Sequence, residues 1–160
     1  MIDALESART PLLLAALVAS GLQAGTYYTW ASGVMPGLAR TDDATFVATM
    51  QHVNTAIVNP VFLASFVGAP VLAAAGALAA GGSARPWVVA GLVLAVATVA
   101  VTAGGNVPLN DALAAVDPGG DGATLAAARE AFEDPWVRWN VVRTLTSTGA
   151  LACLGWALSR

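Results

Sequence analysis

The hydrophobic positions of this chain gather into long runs, separated by short clusters of polar and helix-breaking residues. A helix that crosses a bilayer needs roughly 20 mostly apolar residues, and four runs reach that length. The first, Pro11 to Trp30, opens with Thr10 as N-cap and Pro11 at the first helical position, where a missing N–H costs nothing. Its leader carries Asp3 and Glu6 and no basic cluster, so the run reads as a retained span and not as a signal peptide. Gly33, Pro36 and Gly37 are expected to break the helix that follows. A second helix is predicted to start at Thr41, where Asp42 and Asp43 suit the positive end of the helix dipole. It carries the apolar stripe Phe46, Met50, Val53 and Ile57, and is expected to kink rather than end at Asn59-Pro60 before continuing to Ala80. The third run, Trp87 to about Gly104, is expected to bend at Gly104, Gly105 and Pro108. A polar stretch from Asp111 to Asp134 contains a loop over 117–122 and a short helix from Ala123 to Phe132, expected to end before Pro135. The fourth run is Trp139 to Leu158.

The polar minority is placed with equal regularity. At 100° per residue Trp136, Asn140, Arg143 and Ser147 fall on one narrow face of an otherwise Val- and Leu-rich helix. Thr102, Asn106 and Asn110 recur every four residues at the end of the third run. Gln51, His52, Asn54 and Asn59 lie near the start of the second, and Tyr27 and Tyr28 close the first. All four groups fall at the same membrane face. Amide and ionisable groups turned toward lipid are costly, so these are expected to point inward and form a polar pocket. The opposite half is Ala, Val, Leu and Gly, which argues against a permeation path. A plainer reading treats the layer as a hydrogen-bonded plug, with Trp136 and Trp139 in an interfacial belt and Arg143 snorkelling to the surface.

Composition narrows the class. The chain is 57% hydrophobic and 11% charged, against roughly 25% charged in soluble domains, so the lipid bilayer is its expected partner. A net charge of −3 and the lack of any lysine exclude a nucleic-acid surface. Cys153 is the single cysteine, so neither a disulfide nor a cysteine metal cluster is expected. His52 is the single histidine, and without a second imidazole or a carboxylate cluster no metal site is expected. Haem needs only one axial ligand, and His52 offers one. The expected fold is all-α, a single domain over residues 1–160. It is read as an integral membrane four-helix bundle with a polar capping segment between its third and fourth helices. Arg9, Arg85 and Arg160 flank one side. Arg40, Arg129, Arg138 and Arg143 lie on the other with most of the acids. With Arg143 assigned to an internal site, both termini are expected on the cytoplasmic side. Gly21 and Gly25 form a G-x-x-x-G spacing that permits close helix approach and is compatible with a homo-oligomer.

Several segments carry a family resemblance. Met35-Pro36-Gly37-Leu38, Gln51-His52-Val53-Asn54, Asn59-Pro60, Asn106-Val107-Pro108-Leu109-Asn110, Arg129, Phe132 and the run from Trp136 to Thr144 together resemble the anthrone oxygenase-like family. The N-V-P-L-N and W-x-x-W-N-x-x-R segments are the most specific. The resemblance spans nearly the whole chain. It implies a small four-helix membrane protein, in a bacterium placed in the cytoplasmic membrane, that oxidises a small apolar aromatic or phenolic molecule with O2. An anthrone has an acidic carbon whose deprotonation gives an electron-rich anion able to react with oxygen directly, so no cofactor is expected. In this reading His52 is the general base, an imidazole being suited to neutral pH. Arg143, Asn140, Asn106 and Asn110 stabilise the oxyanion. Trp136, Trp139, Tyr27 and Tyr28 wall a planar substrate, with Gln51, Asn54 and Asn59 completing the binding set. Two other readings fit the same residues: a haem-binding membrane protein with His52 as axial ligand, and a non-catalytic scaffold or small-molecule binding module.

Overall fold

The computed structural model describes the backbone of residues 2–160 and the side chains of residues 8–160. Among the described residues every regular element is helical, and there is no strand. The elements are α1 (Ile2–Thr29), a π turn (Trp30–Val34), α2 (Met35–Leu38), α3 (Asp43–Ala56), α4 (Pro60–Ala79), α5 (Arg85–Val101), a second π turn (Thr102–Asn106), α6 (Val107–Ala114) and α7 (Gly122–Leu158). Among the described residues three stretches are long and apolar enough to cross a membrane: Pro60–Ala79, Arg85–Ala114 and Gly122–Leu158. The expected first span is not among them; α1 is long enough, but Gln23, Thr26, Tyr27 and Tyr28 dilute the hydropathy of its second half.

Four expected boundaries are corrected, each for a local reason. The helix does not break over 33–37: it widens by one residue, Met35 N–H bonding the Trp30 carbonyl, and runs on into α2. The third span does not end near Gly104 either: it widens in the same manner, Val107 N–H bonding the Thr102 carbonyl, and stays helical to Ala114. In both places a proline, Pro36 or Pro108, follows two residues after the wide turn. A proline ring removes a donor and clashes with the carbonyl four residues back, and a π turn relieves both problems without ending the helix. At Asn59-Pro60 the chain does the opposite. Here α3 ends, and Asn59 takes up extended backbone and caps α4, its Oδ1 accepting from the N–H groups of Val61 and Phe62 at 3.0 Å each. Finally, α7 does not stop before Pro135 but runs unbroken for 37 residues. The carbonyl that Pro135 leaves without a donor belongs to Ala131, an exposed residue that water can serve.

The long helices pack in a closed set of neighbours, α1 along α4 and α7, and α5 along α7 and α4. At the end that holds the α4–α5 turn, the core is Leu13, Ala16, Ala73, Ala77, Val88, Leu154 and their neighbours. Helices approach closely there because glycine replaces a side chain: a Cβ on Gly76 would fall 2.8 Å from Leu13 Cδ2, and one on Gly91 2.9 Å from Leu154 Cγ. At the other end α2, α3, α6 and the first turns of α7 form a cap around a second core, built from Met35, Phe46, Met50, Leu113, Phe132 and Trp136. Arg129 ties this cap together. It donates to the Thr41 and Ala39 carbonyls, pairs with Asp43 at 3.0 Å and Glu133 at 2.7 Å, and lies 4.6 Å above the Phe46 ring. Asp42 and Asp121 start α3 and α7 by accepting from Thr45 and Thr124, which holds both carboxyls below the usual carboxylate range.

Candidate functional site

Beneath the cap the helices enclose a cavity of about 220 Å³, larger than the roughly 150 Å³ apolar cavity that admits benzene. Six helical segments contribute to it. The first π turn supplies Trp30, α3 Asn54, α4 Phe62 and Phe66, the second π turn Thr102, α6 Asn110, and α7 Trp136 and Arg143. Each π turn opens on a residue that lines the cavity, Trp30 in one case and Thr102 in the other. Widening a helix by one residue re-aims its side chains, and here both sites of widening turn a side chain into the same space.

The polar face of α7 is turned inward along its length, Trp136, Asn140, Arg143 and Ser147 all being buried. Arg143 is sandwiched by aromatic rings, its guanidinium 4.5 Å from the Tyr27 centroid and 5.1 Å from that of Trp136. Its Nη2 donates to Asn140 Oδ1 at 3.0 Å, while Nε has no partner. Asn140 is in turn fixed by donating Nδ2 to the Tyr27 carbonyl at 3.0 Å. Asn140 therefore orients the arginine and ties α7 to α1. Trp136 is held at both ends: Nε1 donates to Asn110 Oδ1 at 2.9 Å, and its carbonyl accepts from Asn106 Nδ2 at 3.2 Å. Among the described residues no carboxylate lies in ion-pair range of Arg143, since the two ion pairs found both belong to Arg129. Asn54 also lines the cavity with its Nδ2 buried and unpartnered.

The site expected from sequence is thus brought together only in part. Arg143, Asn54, Asn110 and Trp136 line the cavity, and Asn140, Asn106 and Tyr27 buttress it from behind. His52 does not join them. It is exposed on α3 and lines no part of the cavity, because Val53 and Asn54 are the residues that α3 turns inward at this point. Tyr28 is exposed, one position round α1 from the buried Tyr27. Gln51 works as a fastener, donating Nε2 to the carbonyls of Leu113 and Val116 at 2.8 Å each. Asn59 is spent on capping α4. Trp139 lies flat on Gly105 at the outer surface, where a glycine Cβ would meet its ring at 2.7 Å. Trp30 and the stacked pair Phe62–Phe66, 5.5 Å between centroids, are cavity walls that hydrophobic patterning alone does not single out. The signal for the phenylalanine pair was their i, i+4 spacing just after a helix cap.

The wall can bind a planar apolar molecule between aromatic faces and meet one negative oxygen with a guanidinium and amide N–H groups. Among the described residues it offers no carboxylate, imidazole or thiol for proton or metal chemistry. No curated protein and no solved structure matches the chain. The sequence profile of the anthrone oxygenase family, however, matches residues 46–153, more than half of the chain, and the match takes in Asn54, Asn106, Asn110, Trp136, Asn140 and Arg143. On that match the chain belongs to the anthrone oxygenase family.

Proposed function

We propose that the protein is a membrane oxidoreductase that oxidises an anthrone-like or phenolic aromatic with O2, and that Arg143 holds the substrate's anionic oxygen in the cavity under the cap. The observation that carries this reading is the guanidinium itself. An isolated buried charge costs several kcal/mol, and a desolvated cation–π contact returns about 2 kcal/mol. Two rings therefore offset only part of the penalty. An anionic ligand supplies the remainder, and the unpartnered Nε of Arg143 and Nδ2 of Asn54 add donors. The balance of the reaction fits such a site. The methylene carbon of an anthrone loses two hydrogens and gains one oxygen atom of O2, and the other oxygen leaves with those hydrogens as water. The protein's part is to stabilise the carbon acid's conjugate base, which lowers the free energy of the species that reacts with oxygen. Among the described residues no side-chain base lines the cavity, so in this reading the proton passes to water and the exposed His52 is not assigned to that step.

In this reading α1, α4, the Arg85–Ala114 stretch and α7 cross the bilayer as one four-helix domain over residues 1–160. Two facts support α1 as the fourth member: it packs along α4 and α7, and it exposes Leu14, Val18 and Leu22 on its outer side. Arg9, Arg85 and Arg160 then mark the cytoplasmic face and the cap lies opposite. The test is oxygen consumption by the purified protein in lipid vesicles with a panel of anthrones and quinols. Uptake of one O2 per anthrone, with a quinone spectrum appearing and no Soret band in the protein, is the expected result. No uptake with any member of the panel sinks the oxygenase reading and leaves a binding module.

A further inference from the structure

The described residues that line the cavity differ sharply in exposure. Three reach the surface, Val58 at 67%, Leu63 at 38% and Val107 at 40%, and all three are aliphatic. Of the polar wall groups, Arg143 is buried and Asn54, Thr102 and Asn110 are half-buried. Leu63 on the rim is followed at helical spacing by Val67 and Val71, both exposed on the outer face of α4. Leu63 and Val107 belong to the stretches Pro60–Ala79 and Arg85–Ala114, both apolar enough to cross a membrane. Facing water, such a rim would expose aliphatic surface at about 25 cal/mol per Å². Facing acyl chains it carries no such penalty.

We propose that the cavity opens sideways into the hydrocarbon of the bilayer, between α4 and the start of α6. Its ligand, a lipid-dissolved aromatic with one ionisable oxygen, passes in and out by that opening past Val58, Leu63 and Val107. The proposal rests on the reading of this cavity as the substrate site. It adds to that reading the phase from which the substrate comes and the direction in which it lies: polar oxygen inward toward Arg143, apolar body toward the rim. A water-soluble phenol that never partitions into lipid is then a poor ligand even where it fits the walls.

The opening is tested without any ligand by placing single nitroxide labels at Val58→Cys, Leu63→Cys and Val107→Cys in a Cys153→Ser background, in phosphatidylcholine vesicles. Val67→Cys on the outer face of α4 serves as the lipid control, and Ala123→Cys at the start of α7, also exposed, as the aqueous one. The rim labels are expected to follow Val67→Cys, relaxed more by dissolved O2 than by a water-soluble nickel chelate. Rim labels that follow Ala123→Cys overturn the proposal. In a second arm, anthrone is compared with a ring-sulfonated anthrone that stays in the aqueous phase. The sulfonated compound is expected to be oxidised far more slowly, and equal rates for the two overturn the route whatever the labels report. Lipid-like labels together with no anthrone consumption leave the sideways opening standing and remove the oxygenase reading instead.

Discussion

At the end of the molecule that holds the α4–α5 turn, glycines and alanines let α1, α4, α5 and α7 lie so close that no space is left between them. Under the cap the same helices carry Trp136, Arg143, Phe62 and Phe66, two of the helical stretches widen into π turns, and the space between them becomes a cavity. Small side chains close one end and large ones hold the other apart. What separates a fastening region from a binding region in this protein is therefore side-chain size more than polarity. Thr98 and Thr146 share a hydrogen bond of 2.8 Å between α5 and α7, yet the space beside Thr98 is only about 10 Å³, room for a single water.

The comparison is broken most decisively at Arg143. If the cavity end exists to hold an anion, Arg143→Gln lowers kcat/KM for anthrone oxidation by about 10²–10³-fold, the loss typical of a removed oxyanion donor. Full turnover in a folded Arg143→Gln protein would reduce the cavity to a packing defect. Next comes the difference in tolerance to size. Gly91→Ala forces a methyl against Leu154 Cγ, and is expected to cost about 1–3 kcal/mol in thermal unfolding of the detergent-solubilised protein. Gly104→Ala, in the second π turn with no atom within 4 Å of its Cβ, should leave the midpoint nearly unchanged. Equal losses at the two glycines would mean that both ends pack alike.

His52→Ala sharpens the boundary of the site. Because the imidazole is exposed and outside the cavity, turnover should stay within about 3-fold of wild type, far from the 10²–10⁴-fold of a lost general base. A loss in that larger range would return His52 to the chemistry. The smallest effect concerns the cap alone. Thr45 and Thr124 hold the Asp42 and Asp121 carboxyls below their ordinary value of 3.8. A carboxylate lowered by folding contributes its stability in full above its unfolded pKa, and that contribution fades as pH falls through the folded value. Amide protons at the starts of α3 and α7 should thus exchange relatively faster on acidification below the usual carboxylate range. Asp42→Asn, which caps without ionising, should remove that pH dependence at α3 and leave it at α7.

Helix content and the inward face of α7 were legible because they rest on periodicity: Trp136, Asn140, Arg143 and Ser147 recur at helical spacing, and burial of that stripe follows from the cost of turning it to lipid. The choice between neighbours was not legible. His52 and Asn54 are two residues apart on α3 and chemically similar as candidates, but only the rotation of α3 about its own axis decides which one enters the cavity. That rotation is set by the core contacts of Phe46, Val47 and Met50 with α6 and α7. Gln51 and Asn59 misled for a related reason. An amide able to bind a ligand is equally able to close the last carbonyls of α6 or to start α4, and backbone groups left at helix ends are the nearer partners. At 30–38 and 101–108 glycine and proline are equally compatible with a stop, a bend or a wide turn, and the backbone hydrogen bonds of the folded chain decide among them.

Those two segments share a sequence pattern. Trp30-Ala31-Ser32-Gly33-Val34-Met35-Pro36 and Thr102-Ala103-Gly104-Gly105-Asn106-Val107-Pro108 align position by position, with alanine second, glycine fourth and proline last, and each adopts the same wide turn. A π turn is a helix that has absorbed one extra residue. The wide turn takes that residue up locally, so removing it from either heptad would restore an ordinary α-helical turn and leave the segment beyond facing nearly as before. The chain thus has two places where a single-codon deletion would be felt only at the turn itself. At the second, losing the wide turn would re-aim Thr102, which lines the cavity, while Val107 and Asn110 keep their helix face.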